Sequence, residues 1–113
     1  MKLSDHADSS EEKTGFRCED IHEWIDEFFN MELHIQRQKM VFMDDYNPFD
    51  HRKHRHYKEA IDVAIEEFRN KYSEDIIGKV FLIHLEDDYN GYIPSQKDFD
   101  KFDFISKYHR VYI

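Results

Sequence analysis

The chain has 113 residues, of which 40% are hydrophobic and 36% charged, with only three Gly and two Pro. That length suits one domain, and ten Phe, seven Tyr and one Trp supply enough apolar surface for a core, which excludes collagen-like, Pro-rich linker and wholly disordered classes. Twenty-five acidic against 16 basic residues leave a formal charge of −9, the wrong sign for coating nucleic acid or an anionic membrane.

Residues 1 to about 17 are polar, with Ser9, Ser10, Glu11, Glu12 and Lys13, and read as an N-terminal arm ahead of a single domain over 18–113. From Ile21 the residues Ile21, Trp24, Ile25, Phe28 and Phe29 recur at spacings of three and four, which predicts a helix. Glu19 and Asp20 suit its positive end. Met31 to Tyr46 fits either a continued helix or a strand and loop. Asn47-Pro48-Phe49-Asp50 then has the chemistry of a helix start, with a cap, a first-turn Pro and an acidic residue. The stripe Tyr57, Ile61, Ala64, Ile65 and Phe68 carries that helix to about Tyr72.

Ile76 to Leu85 is a short apolar block that periodicity cannot assign to buried helix or buried strand. Asp87-Asp88-Tyr89-Asn90-Gly91 reads as a turn. Ser95 to Asp98 has capping-box spacing, opening a last short helix that Phe99, Phe102, Phe104 and Ile105 would pack down. The fold class expected is mainly α: one small helical domain with two longer helices, the arm and a short C-terminal helix. A small β-hairpin near Val80 to His84 is the alternative.

No apolar run is long enough to cross a bilayer and no secretory apolar stretch opens the chain, so a cytoplasmic protein is expected. Cys18 is the one cysteine and has no partner for an internal disulfide, which fits a reducing compartment. Lacking a CxxC partner or a nearby base, it reads as a buried or idle thiol.

Eight histidines are the compositional anomaly. Imidazole is the commonest protein metal ligand, so their placement matters. His22 and Asp26 lie four apart on one helical face, at the edge of the apolar stripe. Asp50 and His54 are also four apart, with His51 on the flank of the same face, whereas His56 would point largely away. His84 shares a face with Asp87 or Asp88 if that stretch is helical, and with Glu86 if it is extended. His34 and His109 have no neighbours that recommend them and read as surface residues. Arg52, Lys53, Arg55 and Lys58 make one turn basic within an acidic chain, and beside a metal such a set can hold phosphate. P-loop, dinucleotide, GxSxG and HExxH patterns are absent, as is an adjacent His-Asp pair.

The order of these pieces resembles a family of small bacterial and phage proteins described as a domain of unknown function. The matching residues are His6-Ala7, Ser9-Ser10, Gly15, Glu19-Asp20, Ile21-His22-Glu23-Trp24-Ile25-Asp26 and His51-Arg52-Lys53-His54-Arg55-His56. They continue through His84, Asp87, Asp88, Gly91-Tyr92-Ile93-Pro94-Ser95 and Asp98-Phe99. This chain departs from the pattern in a longer segment between Asp26 and Asp50, in Tyr57 where a second His is usual, and in an extra residue before Gly91. The resemblance implies that His6, His22, Asp26, His51, His56 and His84 belong to one site, and it restores His56.

The expected function is divalent-metal binding, with zinc, iron or manganese suited to mixed His and carboxylate ligands. His22, His51 and His84 are the expected ligands, with His6 or His56 as a fourth and Asp26 or Asp87 completing or orienting the shell. Chemistry at such a centre would be hydrolysis of a phosphorylated small molecule, with Arg52 or Arg55 steadying developing charge. The alternative is a non-enzymatic acidic module that docks on or inhibits a basic protein through Asp87, Asp88, Asp100 and Asp103. A third reading makes the histidines a core polar network.

Overall fold

A computed structural model describes residues 2–27, 52, 54–100 and 104. The fold is mainly helical, with α1 at Leu3–Thr14, α2 at Glu19–Ile25, α3 at Ile61–Phe68 and α4 at Glu74–Asp88. Single 3-10 turns cover Lys58–Ala60 and Gln96–Asp100. Among the described residues there is no strand, so the apolar block is helix and the hairpin alternative falls away. No helix there is long and apolar enough to cross a membrane.

Helix α4 is the centre of the fold and packs against α1, α2 and α3. Its buried residues Ile77, Val80, Phe81, Ile83, His84, Leu85 and Asp88 go most of the way round it. A helix buried on nearly every side shows no polar stripe, which is why periodicity left it unassigned. Its start is set by Ser73, whose Oγ accepts the Ile76 N–H at 3.2 Å while Glu74 and Asp75 face the dipole. It stops where Asn90 and Gly91 both take positive φ, and the Gly91 N–H closes back on the Glu86 carbonyl at 2.7 Å. Replacing Ser73 with Ala is expected to cost about 1 kcal/mol in chemical denaturation.

The core joins Ile21 and Ile25 of α2, Ala64 of α3 and the α4 residues to Tyr89 and Phe104. Phe99 and Phe104 meet at 5.1 Å, and Phe104 stacks on Tyr89 at 5.7 Å, so these two of the four expected residues pack down. Asp98 accepts the Ser95 N–H at 2.8 Å, the acidic half of the expected capping box, although the turn it caps is 3-10 rather than α. Cys18 is buried and its thiol is pushed up by that burial.

Within the expected N-terminal arm, residues 3–14 form a helix, ended by Gly15 at φ 85 with its N–H on the Glu11 carbonyl. Its buried side chains are only His6, Ala7 and Ser10, so it carries no apolar period to read. The second long helix is shorter than expected: Arg55 has φ 64, Tyr57 is extended at φ −144, and α-helix begins at Ile61. Here tertiary pairing overrides local signals, since the Lys58 N–H is taken by the Pro94 carbonyl at 2.8 Å and His56 turns inward. The proposed cap at Asn47, with Pro48 and Asp50, and the ambiguous stretch Met31 to Tyr46 lie outside the described residues, as do Phe28, Phe29, Phe102 and Ile105.

Candidate metal centre

Three helices each present a pair of side chains four residues apart towards one point. These are His6 and Ser10 on α1, His22 and Asp26 at the end of α2, and His84 and Asp88 on α4. A spacing of four stacks both members on one helical face, so each pair is held rigidly. His56 joins them from the loop before α3, and like His6, His22 and His84 it is at most 1% exposed.

The donors and acceptors can be followed from the outside in. The single proton of the Ser10 hydroxyl is taken up between the Ala7 and Arg17 carbonyls, at 3.1 and 2.8 Å, so its oxygen accepts from the His22 Nε2–H at 3.0 Å. That leaves His22 Nδ1 as an acceptor for the His84 Nδ1–H, 2.8 Å away. The other ring nitrogen of His84, Nε2, is thereby turned to the carboxylates, 3.2 Å from Asp88 Oδ2 and 3.4 Å from Asp26 Oδ1. His56 is held the same way: its Nδ1–H donates to the His54 carbonyl at 2.9 Å, which turns its Nε2 to Asp26 Oδ1, to which it donates at 2.9 Å, and towards Asp88 Oδ2 at 3.2 Å.

Two imidazole Nε2 atoms and two carboxylates thus face one another. Such a set repels itself unless protons or a cation sit among its atoms. The four ligand atoms of Asp26, His56, His84 and Asp88 lie within 4.8 Å of one another. Neighbour spacings of 2.9 to 3.4 Å are those spanned by N and O ligands about 2.1 Å from one ion. The outer contacts also suit a metal site, because three of the four candidate ligands are oriented from behind. His22 steadies His84, the His54 carbonyl steadies His56, and His6 Nε2 donates to Asp88 Oδ1 at 3.0 Å.

His6, His22 and His84 also bring ring nitrogens within 4.8 Å of one another. Their rings are nearly parallel, with His6 stacked on His84 at 3.7 Å and 12°. In-plane lone pairs on stacked rings run side by side, so these three make a stack that orients the four-residue set.

Electrostatics divide the histidines. Burial, followed by the charge of His84 and His6, pushes His22 down to about 3, and burial and His84 also lower His6. Burial works against charge on His84 as well, but Asp26 and Asp88 override it and lift His84 to about 9. His56 is raised in the same way by hydrogen bonds to those carboxylates. Asp88, which burial alone would raise, is held well below the usual carboxylate range by His84, His56 and His6. In the metal-free protein His22 stays neutral when folded and takes a proton near its ordinary 6.5 when unfolded. The unfolded chain then binds more protons between pH 6.5 and 3, so stability falls on acidification through that window, by about 1.4 kcal/mol per pH unit. His6 adds to the same slope, and denaturation midpoints measured in chelator from pH 7 to 4 would read it.

Of the residues singled out from sequence, His6, His22, Asp26, His56 and His84 are brought together. His51 lies outside the described residues, as do Asp50, His34 and His109. Asp87 is a correction: it faces Lys13 at 3.5 Å, and the carboxylate in the cluster is Asp88. Arg52 is buried with a guanidinium nitrogen 3.7 Å from Asp88 Oδ1. Arg55 is the second correction, since its guanidinium lies over Trp24 at 3.9 Å and donates to the Trp24 carbonyl and Glu27. His54 is exposed and contributes its carbonyl, reversing the helical-wheel order of His54 and His56. Ser10 was missed because its pairing with His6 exists only in a helix. No protein-family model, curated protein or solved structure matches this chain.

Proposed function

We propose that this protein binds one divalent transition metal ion through Asp26, His56, His84 and Asp88, with His6, His22 and Ser10 orienting the ligands. The observation that carries the reading is the pair of oriented imidazoles. Hydrogen bonds on their Nδ1 sides turn the Nε2 atoms of His84 and His56 to the carboxylates of Asp26 and Asp88, the first partly exposed and the second buried. Mixed imidazole and carboxylate donors suit zinc, iron or manganese. The ion takes the place of the protons that His84 and His56 hold in its absence.

Asp26 is the ligand that meets solvent, with its side chain 24% exposed at a cleft of about 300 Å³ lined by Leu3, Glu23, Asp26 and Glu27. A small molecule reaching the centre arrives there. A bound divalent ion supplies Lewis acidity and acidifies a coordinated water, the chemistry of metal-assisted hydrolysis. Glu23 and Glu27 make the lining acidic, which favours a neutral or cationic substrate over a phosphorylated one. Arg52 supports Asp88 from within the core rather than from the cleft.

A polar network that needs no metal is the competing reading, and thermal melts separate the two. Chelation of the purified protein is expected to lower Tm by about 10 °C or more, restored by excess Zn²⁺ or Mn²⁺. A Tm that chelator and added ion leave unmoved contradicts metal binding. The acidic docking module loses Asp88, which is buried and cannot form part of a surface patch.

A further inference from the structure

Of the twelve residues in α1, only His6, Ala7 and Ser10 are buried, and its one large apolar side chain, Leu3, stays 38% exposed. A helix whose one fully buried apolar group is the Ala7 methyl is held only weakly by the hydrophobic effect, and a helix this short is marginal alone. What holds it is the metal centre. His6 Nε2 bonds Asp88 Oδ1 at 3.0 Å and Ser10 Oγ bonds His22 Nε2 at 3.0 Å, with the partly exposed Lys13–Asp87 pair at 3.5 Å outside them. Both buried contacts act on ligands, because His6 occupies the outer oxygen of Asp88 and Ser10 sets the His22 tautomer that sets His84. Leu3 of α1 is also one wall of the cleft in which Asp26 meets solvent.

We propose that α1 is a gate over the metal centre whose closure is driven by ion binding. The proposal rests on the metal-binding reading above. With α1 docked, the ion meets a preset His84 tautomer and an Asp88 with one oxygen turned inward. With α1 released, His22 Nε2 and Asp88 Oδ1 turn to water, the His84 tautomer is no longer dictated, and the ion binds less tightly. Linkage makes this reciprocal, so the ion favours docking by the factor that docking favours the ion. Release also removes the Leu3 wall and opens the Asp26 side, where ion and small molecules exchange.

The test is hydrogen exchange of the full chain in chelator and with saturating Mn²⁺, with bound manganese counted on the same samples. The ion is expected to slow exchange of the α1 amides by about tenfold or more while leaving α3 unchanged. Ser10→Ala keeps a good helix former in α1 and removes the Oγ contacts to His22 and to the Ala7 and Arg17 carbonyls, so it is expected to bind Mn²⁺ more weakly and lose most of the ion-dependent protection. One equivalent of bound manganese with identical α1 exchange in both states overturns the gate and leaves the metal reading standing. Full ion-dependent protection in Ser10→Ala likewise overturns it. No bound manganese at all overturns the metal reading and the gate with it.

Discussion

Replacing Asp88 with Asn is expected to abolish metal binding and to destabilise the metal-free protein by about 3–5 kcal/mol. Asp88 is 2% exposed and faces His6, His56 and His84 at 3.0 to 3.2 Å, with Arg52 at 3.7 Å. Its charge is what makes buried cations tolerable here. Asn keeps the size but brings an amide donor where every neighbour is itself a donor or a positive charge, so the interior is left with uncompensated charge. A domain of this size has roughly 5–15 kcal/mol in total, so a large fraction of the variant would be close to unfolding. Asp87→Asn is the matched control. Its partner Lys13 is half exposed at 3.5 Å, and the change is expected to cost under about 1 kcal/mol. Equilibrium denaturation in chelator compares the two, and an Asp88→Asn protein as stable as Asp87→Asn would contradict the assignment of the buried carboxylate.

The second large effect is on metal affinity as a function of pH. His84 titrates at about 9 in the metal-free protein, because Asp26 and Asp88 outweigh the effect of its burial. Only neutral imidazole coordinates, so below that value the ion must displace a proton and its affinity rises about tenfold per pH unit. Between pH 6 and 8 the Mn²⁺ affinity is therefore expected to rise by roughly a hundredfold, and more steeply where His56 also releases a proton. The direction is the same as that of acid stability in the metal-free protein, where His22 takes up its proton on unfolding, but the window lies at higher pH. Titrations at fixed ionic strength would measure the slope. A flat profile would mean that the ion binds groups already deprotonated, such as exposed carboxylates.

Legibility from sequence followed the physical signal each residue carries. Helix α2 announced itself because Ile21 and Ile25 bury one face, and His22 and Asp26 were placed correctly by the same period. Helix α4 was hidden because it is surrounded, and an apolar run with one buried His has no periodic contrast. Once it is a helix, the carboxylate four residues after His84 is Asp88, and the choice between Asp87 and Asp88 resolves itself. Helix α1 was invisible to hydrophobic reasoning since its buried positions are His6, Ala7 and Ser10. The clearest failure was His56. A wheel drawn for a regular helix turned it outward, whereas positive φ at Arg55 and an extended Tyr57 turn it in. The resemblance groups His56 with His6, His22, Asp26, His51 and His84, and the fold brings together the five of these six that lie among the described residues.

Elemental analysis of untagged protein, purified without chelator, addresses the metal centre most directly. About one equivalent of zinc, iron or manganese per chain is expected in the natural sequence and in Asp87→Asn, and almost none in Asp88→Asn. Less than about a tenth of an equivalent in the natural protein, or an undiminished content in Asp88→Asn, would contradict a centre built on His56, His84, Asp26 and Asp88.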